Sequence, residues 1–242
     1  MRALRGGGLR AGLIVVASSG LLLAACSSGG KTPTGQPSGT GTPTQNFAAH
    51  ELNLTGAAFP SSWKSESSTG GKNVVRSALN SCVAKQSNAP TPATVAISSN
   101  FLDGTTGREV GSQVQIFDSP GEANQAATLA GSSAVSSCLG SQVQSELSST
   151  LTANEKLTNV VASVIPSALA SVPHAFGQRV VATISYPQKD GKQGSTDVYI
   201  DVQGFPHGSA LVEAEFESPG SAPPTALSSS TMATLLKSAK AG

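Results

Sequence analysis

Ala210-Leu211-Val212-Glu213-Ala214-Glu215-Phe216-Glu217 is the stretch on which the fold reading turns. Successive side chains of a strand point to opposite faces, so Ala210, Val212, Ala214 and Phe216 share one side and Leu211, Glu213, Glu215 and Glu217 the other. That alternation predicts a half-buried strand of an antiparallel sheet, with an acidic ladder in solvent. As calcium ligands the three glutamates would need oxygens converging from other segments, and no EF-hand-like loop supplies them.

Working outward, Val198, Ile200 and Val202 alternate in the same way, as do Val180, Ala182, Ile184 and Tyr186, with a turn at Lys189-Asp190-Gly191-Lys192 between them. Upstream, Val95, Ile97, Ser99 and Phe101 face Val110, Ser112, Val114 and Ile116 across Asp103-Gly104-Thr105-Thr106-Gly107, an antiparallel hairpin. Helical spacing takes over elsewhere. Val74, Val75, Ala78, Leu79, Cys82 and Val83 predict an amphipathic helix over 72–86 that buries Cys82. Ser119-Pro120-Gly121-Glu122 is a capping box with proline at the first helical position, and it starts an Ala-rich helix with Cys138 near its end and a break at Gly140. Pro223-Pro224 opens a last helix carrying Leu227, Leu235 and Leu236. The order predicts an α+β domain, its antiparallel sheet of five to six strands covered by helices.

The 242 residues are 38% hydrophobic, 12% charged and 4% aromatic with a net charge of +1. This composition lies outside the disordered class, and its scattered Lys and Arg exclude a nucleic-acid footprint. At about 100–200 residues per domain, one core is the working expectation.

Residues 1–25 read as an export signal: Arg2, Arg5 and Arg10 form a basic region, and Ala11 to Leu23 an apolar region short for a transmembrane helix. Leu23-Ala24-Ala25-Cys26 resembles the lipobox of bacterial lipoproteins. The resemblance implies cleavage before Cys26, lipidation of its thiol and anchorage to the extracytoplasmic face of the cell membrane. An ordinary secretory signal with a chance cysteine is the alternative. Without the three signal arginines, 12 Lys and Arg stand against 14 Asp and Glu, a net of −2. Residues 26–46 are Ser/Gly/Thr/Pro-rich and read as a tether, with Thr-Pro steps that suit O-glycosylation. The folded domain is expected over 47–242, with Trp63 among its first apolar anchors.

Lipidation of Cys26 leaves Cys82 and Cys138, which in an oxidising compartment are expected to form a disulfide. A redox or metal-binding pair is the alternative, but Cys-x-x-Cys spacing and a ligand cluster are missing.

Motifs for chemistry are sparse. His50, His174 and His207 lack metal-ligand spacing and read as loop residues. There is no Gly-x-Ser-x-Gly elbow, no Gly-x-Gly-x-x-Gly and no Walker-type loop. Asp197 and Asp201, four apart on one strand face, read as exposed acids rather than a catalytic pair. No cofactor is implied. An apolar loop carrying Val160, Val161, Val164, Ile165 and Phe176, beside the Ala-rich helix, reads either as plain core or as the border of a groove for an apolar ligand.

The run of features from Trp63 through the Cys82 helix, the Val110 to Phe117 strand, the helix ending at Cys138 and the closing Tyr199 to Phe216 strands resembles actinobacterial envelope lipoproteins with a PknH-type extracellular sensor fold. The resemblance spans about residues 47–240; PsbP-like lipoproteins share a comparable layout. It implies a non-enzymatic sensor-like or binding domain for a small apolar or envelope-derived ligand or a protein partner, or else an accessory lipoprotein with no small ligand. Neither family supplies catalytic residues to carry over.

Overall fold

A computed structural model describes residues 49–66, 74–188 and 190–241. The signal segment, the tether and Cys26 lie outside the described residues, as do Phe47, the glycine turn before the first helix and Lys189.

The chain is an α+β domain on one antiparallel sheet. After two short 3-10 turns come β1 (Trp63–Glu66), α1 (Val74–Ala84), β2 (Thr94–Ile97), β3 (Asn100–Asp103) and β4 (Glu109–Ile116). Then follow α2 (Pro120–Ala130), α3 (Ser133–Thr150), β5 (Lys156–Val164), β6 (Phe176–Pro187), β7 (Gln193–His207), β8 (Ala210–Pro219) and α4 (Thr225–Ala241). Among the described residues the sheet has eight strands, in the order β1-β3-β4-β8-β7-β6-β5 with β2 also beside β4.

That exceeds the five to six strands expected, for three local reasons. The expected strand at 95–101 is split: the Ser98 hydroxyl accepts the Ser112 N–H at 2.8 Å, interrupting the ladder between β2 and β3. Trp63–Glu66 adds an edge strand against β3. The apolar loop read around Val160 is β5, an edge strand paired with β6 through Val160↔Ala182 and Val161↔Val181.

The second helix also differs. Ser119 caps α2, its hydroxyl accepting from the Glu122 N–H at 3.2 Å, while the Glu122 carboxylate accepts from the Asp118 N–H at 3.0 Å, one residue further back than a standard capping box. The chain then breaks at Gly131 rather than Gly140, because Ser132 caps a new helix by accepting from the Val135 N–H at 3.2 Å. Cys138 therefore lies within α3. It is bonded to Cys82 of α1, with Cα atoms 5.8 Å apart, as expected.

Both faces of the sheet are covered. On one, α1, α2 and α3 pack Val75, Leu79, Cys82, Ala126, Val135 and Leu139 onto Val180, Val202 and Leu211. On the other, α4 and the segment before β1 pack Leu52, Leu54, Met232 and Leu235 onto Val114, Val212, Ala214 and Phe216. The N-terminal segment is held by polar contacts as well: Ser112 Oγ accepts from the Leu54 N–H at 2.8 Å and donates to Asn53 Oδ1 at 2.9 Å.

Candidate functional site: a cleft over a buried polar ladder

With two covered faces, the acidic ladder of β8 is not solvated. Glu213 and Glu215 are 1% and 6% exposed, which overturns the expectation drawn from their alternation. β8 lies between β4 and β7, so its second face is roofed by helices. Across the β4–β8 ladder Glu213 stands opposite Gln113, and Glu215 opposite Gly111.

Each carboxylate has its own compensation. Gln113 Nε2 and Gln115 Nε2 both donate to Glu213 Oε2, at 3.0 and 2.9 Å. Gln115 also donates to Asn80 Oδ1 of α1 at 3.1 Å. Glu215 Oε2 accepts the backbone N–H of Arg76 in the first turn of α1 at 2.9 Å, where a helix leaves its N–H groups without intrahelical partners and favours negative charge. The Arg76 guanidinium, itself 1% exposed, brings Nε to 3.8 Å from the same oxygen. Gly111 makes room for this meeting, since a Cβ there would collide with the Asn100 side chain and stand 3.0 Å from Arg76 Nη2. Asn100 Nδ2 donates to Glu109 Oε1 beside it.

Burial pushes both carboxyls above the usual glutamate range, since a dry environment disfavours their charged form. For Glu213 the Gln115 hydrogen bond, Arg76 and the Gln113 hydrogen bond pull the other way, and Glu215 pushes upward. For Glu215 the Arg76 charge and its N–H pull down, and Glu109 pushes up.

Beside this ladder lies an open cleft of about 330 Å³ between α1, α2 and the β2–β4–β8 part of the sheet. Its apolar lining includes Val83, Pro90, Pro92, Val95, Phe117 and Leu211. Ala126 and Ala130 of α2 flank it with small side chains that leave the space open. Asn80, Gln115 and Glu213 bring the polar ladder to its surface, and Glu213 is the ionisable group among its lining residues. A volume of this size stands at the lower end of the roughly 300–1,000 Å³ typical of small-molecule sites, and apolar walls with a few placed polar groups are their usual chemistry.

The residues read as bordering a groove lie elsewhere and are not all brought together. Val160 packs on the helical side of the sheet beneath α3. Val161 and Val164 are 51% and 49% exposed on edge strand β5. Ile165 donates its N–H to the Gly177 carbonyl at 3.0 Å and lies so close that a Cβ at Gly177 would stand 2.8 Å from the Ile165 carbonyl oxygen. Phe176 is buried, its ring over Gly204 of β7, in one cross-strand row with Gly204, Glu213 and Gln113.

The aspartate pair also reads differently in the fold. Asp201 is 2% exposed, held by Arg179 through Nε and Nη2 at 2.6 and 2.7 Å, and Asp197 accepts from Thr183 Oγ1 at 2.7 Å. Of the histidines, His50 and His174 are exposed, while His207 closes β7 and is half-buried. Among the described residues no three His, Cys, Asp or Glu converge as a metal site, and no helix is long and apolar enough to cross a membrane.

A scan against protein-family models finds no match for the chain, and a search of curated proteins finds none.

The sequence reading missed the cleft's polar face. Its signal was present as Gly111, Gln113 and Gln115 on one side of β4, matched against Glu213 and Glu215 on β8, with Arg76 and Asn80 four apart on α1.

Proposed function

We propose that this chain is a lipid-anchored extracytoplasmic lipoprotein whose folded domain binds a small, largely apolar ligand without transforming it. The observation that carries the binding reading is the cleft of about 330 Å³ with aliphatic walls and a polar patch at Asn80, Gln115 and Glu213. Glu213 accepts two amide donors on one oxygen and has no histidine, cysteine or second acid beside it in the lining, which suits recognition better than acid–base turnover. The lipobox-like Leu23-Ala24-Ala25-Cys26, the tether and a domain with a disulfide support the extracytoplasmic location. The order of elements, helix and hairpin followed by helices and a closing meander, is what suggested the sensor-like envelope lipoproteins.

Native mass spectrometry of the full-length protein after gentle extraction tests the binding role. A co-purifying small molecule that is lost when the cleft is filled by Ala126→Phe supports it, and a clean apo mass across several extraction conditions argues against it. For the anchor, Cys26→Ala is expected to move the protein from the membrane to the soluble fraction; retention on the membrane sinks that reading.

A second reading, an accessory lipoprotein that docks another envelope protein, draws on Val161 and Val164, both about half exposed on edge strand β5. Edge strands with exposed apolar side chains are natural sites of strand addition.

A further inference from the structure

We infer that the cleft between α1, α2 and β8 selects ligands that carry a protonated amine on an apolar body, with Glu213 as the residue that receives the amine. This rests on the cleft being the binding site and names the chemistry that it takes.

Three observations converge. The first is the state of the carboxylate. Glu213 is 1% exposed yet is one of the cleft's lining residues, so it borders the cleft while shielded from bulk water. Gln113 and Gln115 both donate to Oε2, and among the described residues no hydrogen bond is made to Oε1. That leaves Oε1 as the carboxylate oxygen open to a donor from a ligand.

The second is the sign of the charges. The lining holds no lysine, arginine or histidine, so nothing in the cleft wall neutralises Glu213. The nearby guanidinium of Arg76 on α1 brings Nε to 3.8 Å from Glu215 Oε2 of β8, with Glu109 of β4 adding a further negative charge beside Glu215. Glu213 and Glu215 both feel this arginine, and a cationic ligand in the cleft adds positive charge beside Glu213. An anionic head would meet Glu213 with like charge in a dry environment, where such a contact is most costly.

The third is the arrangement of the remaining polar groups. The Gln115 amide is spent on Glu213 Oε2 and Asn80 Oδ1, so its N–H groups already serve protein acceptors. Gln115 therefore offers a ligand its carbonyl oxygen rather than its N–H groups, which suits an ammonium group with three N–H donors and no acceptor. The aliphatic walls then accommodate the hydrocarbon body.

Burial holds the Glu213 carboxyl above the usual glutamate range, so a cationic ligand also draws off its proton on binding. Affinity should then rise with pH as Glu213 ionises, while a primary alkylamine stays protonated up to about pH 10. The charged groups facing Glu213 are Arg76 from α1 and Glu215 from β8, and neither lines the cleft.

The test uses three probes of equal chain length, n-hexylamine, n-hexanol and hexanoate, titrated into the full chain carrying Cys26→Ala, with calorimetry and the Gln115 side-chain amide resonances as readouts. At pH 8, n-hexylamine is expected to bind about tenfold or more tightly than n-hexanol, since charge-assisted hydrogen bonds are the strong ones, and hexanoate more weakly than either. Glu213→Gln should bring n-hexylamine to the level of n-hexanol measured on the same variant. The probe series on the unsubstituted cleft stands even where that variant fails to fold. Equal binding of the amine and the alcohol, or tighter binding of hexanoate, overturns the amine inference and leaves the cleft as a binding site. Absence of binding by all three, with unmoved Gln115 resonances, overturns both.

Discussion

Glu215 Oε2 and the backbone N–H of Arg76 meet at 2.9 Å across 139 residues of sequence, so a side chain in the middle of the sheet caps the helix that covers it. The guanidinium of the same arginine flanks that oxygen at 3.8 Å. Glu215→Ala removes the cap acceptor and leaves a buried cation without this carboxylate, a change that costs about 3–5 kcal/mol in comparable buried pairs. Replacing both partners with apolar residues, as in Arg76→Met with Glu215→Leu, should recover much of that loss, because neither member of this pair is left buried without the other. Urea denaturation of the single and double variants checks this; a double variant as unstable as Glu215→Ala refutes the pairing.

Gly111→Ala separates local propensity from packing. On propensity alone the substitution should stabilise a strand interior by about 0.5–1 kcal/mol. In the fold a Cβ at this position runs into the Asn100 side chain and stands 3.0 Å from Arg76 Nη2, with both neighbours buried. Overpacking of this kind costs about 1–3 kcal/mol, so the expected sign is destabilisation. A raised melting temperature would contradict the crowded geometry.

Why this face escaped the sequence reading has a physical answer. The alternation in β8 correctly indicated a strand with two unlike faces, the capped α2 and the Val110 to Ile116 hairpin followed from equally local patterns, and the Cys82 and Cys138 pairing followed from the cysteine count. Whether Glu213 and Glu215 meet water depends on the strand order and on which helices lie over β8, both set by contacts far apart in sequence. The cleft is less legible still, since its lining comes from α1, the following loop, β2, β4, α2 and β8. The same argument covers β5, where only Val160 and its alternate neighbours find a helix to pack on and the rest of an apolar run faces outward.

The Cys82–Cys138 bond joins α1 to α3 and closes a loop of sequence separation 56. In the chain-entropy account such a loop contributes about 4 kcal/mol by restricting the unfolded chain. Cys82→Ala with Cys138→Ala should therefore lower the unfolding free energy by about that amount. Because α1 carries Arg76 and Asn80, the double variant should also broaden the Gln115 side-chain resonances. Equal denaturation midpoints with and without the bond would remove its structural role.

The raised carboxyls of Glu213 and Glu215 give stability a definite pH dependence. Both groups hold their protons more tightly in the folded protein than in the unfolded chain, where a glutamate titrates near 4.3. Unfolding in the window between the two values therefore releases protons, and stability falls as pH rises from about 4.3 through the elevated folded-state values. The contribution is fully present below the unfolded value and is lost on the alkaline side, opposite to the usual surface ion pair. Arg76 opposes the trend for both groups, whereas Glu109 reinforces it for Glu215. Glu213→Gln removes one titrating group while keeping its shape and an acceptor oxygen, so the variant should lose part of the slope and gain most at the highest pH. Unfolding free energies of the two proteins at pH 5, 6, 7 and 8 decide the matter, and parallel curves would show that Glu213 does not titrate in this range.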